Sequence, residues 1–331
     1  MRRDPLIGRW VLVAPERSRR PNDFRSSGGL ISPCPFCPGH EAETPPEVFA
    51  VREPGTPRDA PGWKIRVVPN KYPAVAPHGR ARRPAGGFFE SRAGLGAHEV
   101  VIDSPAHDLE FPDLPPESVR NVLEIYRQRV ESLEAGTGTA YVQLFKNKGR
   151  EAGATLRHPH AQIVSLPLLP QCLREDIDAS GRFFKKTGGC LHCRIGEEEE
   201  KAGERIVARN DGFLAFVPFA ARFPYEIRLL PRRHEARFSG TSGEEIAALA
   251  DILGRVLRSV KSLLEDPSYN LVLHQGPAPA ARTEAGNARA ASLHWYLEII
   301  PVTTRVAGFE WGTGFHINPV LPEAAARRLR V

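Results

Sequence analysis

The sequence predicts an α+β protein of two tandem domains, each a mostly antiparallel sheet with packed helices, related by an internal repeat. Three observations carry this prediction. Two C-x-x-C pairs, Cys34-Pro35-Phe36-Cys37 and Cys190-Leu191-His192-Cys193, each open a similar series of elements. Each series contains a strand, a long helix and another strand, and closes on a strand that bears histidine. The interval from His107 to Tyr141 is 34 positions, and that from His234 to Tyr269 is 35. The division falls near 167–180, which gives an N-terminal domain of residues 1–170 and a C-terminal domain of 171–331.

In the first half the strand Glu99-Val100-Val101-Ile102-Asp103 runs to Pro105-Ala106-His107. A helix from about Glu117 to Glu134 follows, with Val119, Val122, Leu123, Tyr126, Val130 and Leu133 on one stripe. Next comes the strand Tyr141-Val142-Gln143-Leu144-Phe145, then a strand through Leu156-Arg157-His158-Pro159-His160-Ala161-Gln162. In the second half the strand Tyr225-Glu226-Ile227-Arg228-Leu229-Leu230 ends at Pro231-Arg232-Arg233-His234. Its helix runs from about Gly243 to Leu264 behind Thr241 or Ser242 as cap. Ile246, Leu249, Ile252, Leu253, Val256 and Val260 repeat the apolar stripe. Strands at Tyr269 to Leu273 and Ser292 to Ile299 complete the copy.

The chain has 331 residues, 41% hydrophobic and 25% charged, which is ordinary for a soluble globular protein with a substantial core. No apolar run reaches membrane-span length, and no apolar stretch follows Met1-Arg2-Arg3-Asp4-Pro5. We expect a cytoplasmic protein with no membrane partner. The net charge of +6 suits a small anionic substrate as well as it suits nucleic acid. The lone Cys172 reads as an inert core or loop residue.

The most informative stretch is His158-Pro159-His160-Ala161-Gln162. In an extended chain His158, His160 and Gln162 share one face. Pro159 has no N–H, so it marks an edge strand, a strand start or a bulge. An imidazole here can act as a nucleophile, and a neighbouring amide can steady a phosphoryl oxygen. His160 and Gln162 are therefore the candidate catalytic residues.

Each half also offers two thiols and two distant histidines, the ligand set of a tetrahedral Cys2His2 zinc site. The predicted ligands are Cys34, Cys37, His107 and His158 in one half, and Cys190, Cys193, His234 and His294 in the other. Two Zn²⁺ per chain are expected, with iron an alternative in one site. His40, His98 and His192 remain substitutes for a ligand.

Taken together, these residues resemble the galactose-1-phosphate uridylyltransferase family of the histidine-triad (HIT) superfamily. The likeness covers most of the chain. It includes Asp4-Pro5-Leu6-Ile7-Gly8-Arg9-Trp10-Val11, the stretch Arg17 to Pro21, Asn70-Lys71-Tyr72-Pro73-Ala74, Phe145 to Gly149, and Gly308-Phe309-Glu310-Trp311-Gly312-Thr313-Gly314. The resemblance implies tandem HIT-like domains, the first catalytic and the second supporting. It also implies ping-pong nucleotidyl transfer through a nucleotidyl-His160 adduct, with a nucleotide sugar and a hexose 1-phosphate as substrates. Arg17, Arg20, Asn147 and Thr155 look like its phosphate binders. Asn70 sits in the segment beside the base, Glu310 where the family contacts the hexose, and His274 aligns with a metal-binding histidine of some relatives, which makes it a substitute ligand for the second site. Family members of this type are homodimers, and the same is expected here.

Some residues depart from the enterobacterial type. Asn70-Lys71-Tyr72 replaces Asn-Asp-Phe, Phe309 replaces a tyrosine and Thr155 a serine. The Asn-x-Tyr-Pro-Ala and Gly-Phe-Glu-x-Gly-Thr-Gly forms also look like relatives that use adenine nucleotides. The leading expectation is a UDP-glucose:hexose-1-phosphate uridylyltransferase acting on galactose 1-phosphate. The alternative is an adenylyl-transferring enzyme of the ADP-glucose phosphorylase type. A zinc-stabilised nucleic-acid-binding protein fits poorly, because the ligands of each C-x-x-C pair are scattered and His160 and Gln162 would have no role.

Overall fold

The structure, a computed structural model, describes residues 1–5, 10–14, 17, 19, 34–77, 88–279 and 292–331. Arg20 lies outside the described residues. Strands β1 (Arg2–Arg3) and β2 (Trp10–Val11) form a small separate pair. The first half contains β3 (Phe49–Arg52), β4 (Trp63–Pro69), β5 (His98–Ile102), α1 (Pro116–Glu134), β6 (Tyr141–Lys148) and β7 (His160–Leu166). Helices α2 (Gln171–Thr187) and α3 (Leu191–Ala202) follow. The second half contains β8 (Ile206–Arg209), β9 (Phe213–Phe216), β10 (Ile227–Pro231), α4 (Gly243–Leu263), β11 (Tyr269–His274) and β12 (Tyr296–Pro301). A short helix at Gly308–Thr313 and another at Pro322–Leu329 close the chain.

The two halves share a single ten-stranded sheet, ordered β3-β4-β5-β7-β6-β11-β12-β10-β9-β8. Its pairings are antiparallel throughout. Strand for strand, the first five repeat in the second five, and the equivalent strands β6 and β11 pair at the seam. Asn147 stands opposite Asn270 there.

Helix α1 starts at Pro116, where a missing N–H costs nothing. Helix α4 starts at Ser242 with a capping box, its hydroxyl accepting from the Glu245 N–H. The stripes predicted for both helices are buried against one face of the sheet, with Val101, Ala161, Ile163 and Leu271. The strands alternate accordingly. Val68, Val100 and Ile102 turn to the opposite face, with Phe36, Trp63 and Leu156. That face carries the site in the first half.

Two expectations need correction. Strand β7 begins at His160 rather than near Leu156, so His158 lies in the bend before it. Pro159 cannot donate to a ladder, and it sets this start. Of the three readings offered for Pro159 the strand start holds, since β7 is central, between β5 and β6. Cys172 is exposed in the first turn of α2. No helix among the described residues is long and apolar enough to cross a membrane.

Candidate active site and metal centres

The first C-x-x-C forms a turn closed by the Cys37 N–H on the Cys34 carbonyl at 3.1 Å. This turn, the loop after β5 and the bend before β7 converge. One ligand atom from each of Cys34, Cys37, His107 and His158 lies within 4.8 Å of the others. The Cys37 sulfur is 3.3 Å from His107 Nδ1 and 3.6 Å from His158 Nδ1. His158 Nε2 is 2.8 Å from the Ser104 carbonyl, which can only accept. Its proton is therefore on Nε2, and the Nδ1 lone pair faces the thiols. A histidine that ligates a metal is held in this way by its other nitrogen. Burial drives the His158 pKa down to about 4, which keeps the ring neutral at physiological pH. The donor set fits a tetrahedral, thiolate-binding metal ion.

In the second half, Cys190 caps α3, and Cys193 lies one turn in. Cys190, Cys193 and His234 bring ligand atoms within 4.8 Å of one another. The hydrogen bond between the two thiols pushes Cys190 down, toward the ligating thiolate form, and Cys193 up. His294, predicted as the fourth ligand, is not within this group. It lies beside it, its ring 5.3 Å from that of His234. His294 Nδ1 donates to the Trp295 carbonyl at 2.9 Å, while Nε2 is buried with no hydrogen-bond partner. An orphaned buried nitrogen beside two thiols and an imidazole fits the donor set of a metal site.

Each substitute ligand has a partner elsewhere, although His192 Nδ1, like His294 Nε2, is buried without one. His40 pairs with Glu43, His98 with Gln162, His192 with Asp176 and His274 with Glu298. None of them belongs to either cluster among the described residues.

His160 is the first residue of β7 and is buried beside the first cluster. Its Nδ1 is 2.8 Å from the His158 carbonyl oxygen. The carbonyl accepts, so Nδ1 carries the proton and Nε2 the lone pair. Phe36, in the C-x-x-C turn, sets its edge against both rings, with centroids 6.1 Å from His158 and 5.2 Å from His160. Gln162, two residues on, opens onto the same pocket as His160, with Thr155, Asn70, Tyr72, Val68 and Val100. Arg17 is not one of the lining residues, but it donates to the carbonyl of Tyr72, which is, at 2.7 Å. Burial lowers the pKa of this arginine, whose base value leaves it charged.

An activated imidazole, a neutral amide and an arginine around one apolar-walled cleft can carry out phosphoryl chemistry. Family models independently match the chain as the N-terminal domain of galactose-1-phosphate uridyl transferase over residues 56–170 and as its C-terminal domain over 176–330. The chain belongs to the galactose-1-phosphate uridylyltransferase family. It is 34% identical over 337 residues to an ADP-glucose phosphorylase of Arabidopsis thaliana, covering 100% of this chain and 92% of that protein. It is 30% identical over 342 residues to the galactose-1-phosphate uridylyltransferase of Thermotoga maritima, covering 100% and 97%. A solved uridylyltransferase structure aligns with a TM-score of 0.81 at 32% identity, over 99% of this chain and 96% of that one. The Arabidopsis thaliana ADP-glucose phosphorylase crystallised with bound ADP-glucose aligns with a TM-score of 0.78 at 33% identity, over 99% and 97%.

As a member of this uridylyltransferase family, the protein is a nucleotidyltransferase. Besides Arg17, two residues named from the resemblance stand away from the pocket lining. Asn147 lies on the seam, its side-chain oxygen accepting from Asn270 at 2.9 Å. Glu310 lies on the exposed helix Gly308–Thr313 and caps it, accepting from the Ala307 N–H at 3.1 Å. Asn70 does line the pocket, yet its amide turns toward His98 and Gln162. The buried group behind the site was missed. Lys146 on β6 reaches Asp103 at 2.8 Å and Glu110 at 2.9 Å, and Asp103 also accepts from Tyr126 at 2.6 Å. A lysine at the strand parity of the buried Val142 and Leu144 was the available signal.

Proposed function

We propose that the protein transfers a nucleotidyl group from a nucleotide sugar to a hexose 1-phosphate by a ping-pong reaction. The family model and the Thermotoga relative favour uridylyl transfer with galactose 1-phosphate, and UDP-glucose is the donor in this proposal. The single observation that carries this reading is the His160 Nδ1 bond to the His158 carbonyl, which leaves Nε2 as the nucleophilic nitrogen. Nε2 attacks the α-phosphorus and a P–N bond forms. The bond from that phosphorus to the bridging oxygen breaks, and glucose 1-phosphate leaves. A phosphate oxygen of the second sugar phosphate then attacks the same phosphorus, the P–N bond breaks, and His160 is restored. Gln162 would donate to the non-bridging oxygens as charge moves onto them. Arg17, with Thr155, would hold the diphosphate, and Arg20 and Asn147 remain candidates for the same task.

Zinc is the metal we assign to both clusters. Cys34, Cys37, His107 and His158 would hold one ion, and Cys190, Cys193, His234 and His294 the other. When bound, the first ion ties the Cys34 turn to the chain just before the nucleophile. The assignment of residues 1–170 to catalysis and 171–331 to support follows from where His160 sits. A homodimer is part of the proposal. Glu310 rides on an exposed segment with Phe309, Trp311, Phe315 and Ile317 uncovered, as expected of a surface that meets a second copy. A monomer by sedimentation would remove that element.

The alternative reading is adenylyl transfer from ADP-glucose with inorganic phosphate as acceptor, and the Arabidopsis relative and its ADP-glucose complex favour it. Incubation with UDP-glucose or ADP-glucose, each labelled in the α-phosphate, decides between them. We expect an acid-labile, alkali-stable adduct at His160 from UDP-glucose. An adduct from ADP-glucose alone selects the second reading, and no adduct from either ends both.

A further inference from the structure

His98 is left over by this mechanism, although it is buried beside the catalytic strand. It opens β5, in register opposite Val164 of β7 and one pleat beyond the Val100–Gln162 pair. Gly96 lets the chain come that close. Its φ is +152°, and a Cβ there would stand 2.1 Å from the Ser165 carbonyl oxygen.

Both ring nitrogens of His98 have identified neighbours, and the order of the donors can be read from them. The Ala74 backbone N–H lies 3.0 Å from His98 Nδ1. A backbone N–H can only donate, so Nδ1 is the acceptor and the neutral ring carries its proton on Nε2. His98 Nε2 lies 2.9 Å from Gln162 Oε1. An N–H here requires an acceptor, and Oε1 supplies it. Asn70 sharpens the same assignment. Its Oδ1 accepts from the Tyr72 N–H at 2.8 Å, so its nitrogen side is the one turned inward. That amide cannot donate to a nitrogen already carrying a proton, but it can donate to Gln162 Oε1, 3.4 Å away. The carbonyl end of Gln162 is thus held by two donors, and its NH₂ end is left to face the pocket it shares with His160.

We propose that His98 is a positioning residue whose Nε2–H, backed by Ala74 and assisted by Asn70, fixes the Gln162 side chain with its NH₂ group toward the substrate phosphoryl. An amide rotated by half a turn would present a carbonyl oxygen to an anion, which repels it. The free amide has nearly equal access to both orientations, so the hydrogen-bond chain removes the unproductive one before substrate arrives. This rests on the nucleotidyl-transfer reading for its consequence, but not for its hydrogen-bond order.

Two measurements test it on the full-length metal-loaded protein. The first needs no turnover. Imidazole ¹⁵N spectra of histidine-labelled protein, with His98→Gln used for assignment, should place the His98 proton on Nε2. A proton on Nδ1 overturns the proposal even if the enzyme is active, and the spectrum remains decisive if neither nucleotide sugar reacts. The second is a double-mutant cycle in the rate of adduct formation at His160. We expect His98→Ala to slow it about tenfold to a hundredfold, with little change in the KM for nucleotide sugar, as for a lost orientation of one phosphoryl donor. In the Gln162→Ala background the same substitution should add less than about twofold, because the group it positions is gone. His98→Gln, which keeps a donor, should recover part of the loss. Additive effects of His98→Ala and Gln162→Ala would show a structural role and sink the proposal. Thermal unfolding of each variant separates lost fold from lost rate, and His98→Gln keeps the cycle usable if the alanine variant does not fold.

Discussion

In the first half of the sheet, His160 and Gln162 on β7 pair with Ile102 and Val100 of β5. In the second half β12 carries Tyr296 and Glu298 at the matching places, and Glu298 pairs with Arg228 of β10. These residues also line a cavity on their side of the sheet, with Arg222, Glu226 and His274. Several of its side chains engage one another. The Tyr296 ring stacks on His274 at 4.5 Å and 11°, with the Arg228 guanidinium 4.2 Å from its centroid. Burial pushes the Tyr296 hydroxyl above its ordinary value, so it offers no nucleophile near neutrality. The same strand order and the same type of cavity thus hold a reactive imidazole in one half and a closed polar network in the other. Fold places the site, and a few side chains on one strand decide what it does.

The largest expected difference between the halves is chemical. His160→Ala should lower nucleotidyl transfer by at least about 10⁴-fold, since loss of a covalent nucleophile is among the costliest single changes to an enzyme. Tyr296→Phe keeps the stack and should leave the rate indistinguishable from wild type. Adduct formation with labelled nucleotide sugar measures both. Comparable losses in the two variants would mean that the second half takes part in the reaction.

The metal clusters give the next contrast. A structural zinc site contributes on the order of 10 kcal/mol of apparent binding energy to folding, so Cys37→Ser and Cys193→Ser should each cause a large fall in melting temperature and lose one metal per chain. Only Cys37→Ser should also suppress adduct formation in the folded fraction, because His158 both joins its cluster and accepts from His160. Melting temperatures equal to wild type would remove the metal from the account of stability.

Much of this contrast was legible in the sequence. The 34- and 35-residue intervals, the paired C-x-x-C motifs and the helix stripes foretold two copies of one strand–helix–strand unit, because hydrophobic period and spacing are local properties. The fusion of the copies into one sheet was not legible. It depends on β6 and β11 finding each other's edges, and no periodicity records which edges meet. Helices α2 and α3 were likewise missed between the repeats, although Leu173, Ile177 and Ser180 are buried at helical spacing. For the site, the His160–Gln162 pair followed from strand parity. The roles of His98 and Lys146 required partners distant in the chain, Gln162 and Asp103. Asn147 and Glu310 were named by motif position, which carries no information about which cleft a side chain reaches.

A buried ionic group separates the halves energetically. Lys146 pairs with Ala161 across β6 and β7, and the matching pair in the second half is Leu273 with Leu297. One half therefore buries a lysine between Asp103 and Glu110 where the other buries leucine. Burial alone would drive the Lys146 pKa down, but the two carboxylates outweigh it and hold it up. Lys146→Met leaves two buried carboxylates without their cation and should cost about 3–5 kcal/mol in urea unfolding. Leu273→Ala should cost about 2–5 kcal/mol through its cavity alone. The two are distinguished by acid. Lowering the pH neutralises the stranded carboxylates and should recover part of the Lys146→Met loss, but none of the Leu273→Ala loss.

The smallest effect lies at the pair Gln162 and Glu298, where one half uses a neutral amide and the other a charge. Burial opposes ionisation of Glu298, but His274 at 3.1 Å and Arg222 at 2.7 Å overcome it and bring the pKa down to about 2. Glu226, next to it, is shifted the other way, by burial and by the Glu298 charge, so Glu298 is the carboxylate that stays ionised. A carboxyl whose folded pKa is depressed contributes stability that is fully present above its unfolded value and is lost as pH falls through the folded one. Glu298→Gln should therefore cost about 1.5–3 kcal/mol at neutral pH, the worth of charge-assisted hydrogen bonds, and that difference should shrink between about pH 4.5 and pH 2. Gln162→Ala, with no proton to gain, should show a stability difference that does not vary over the same interval. Denaturant titrations at several pH values compare the two directly. A Glu298→Gln penalty that persists unchanged to pH 2 would mean that the second-half network is held by shape rather than by charge, and the electrostatic half of the comparison would fall.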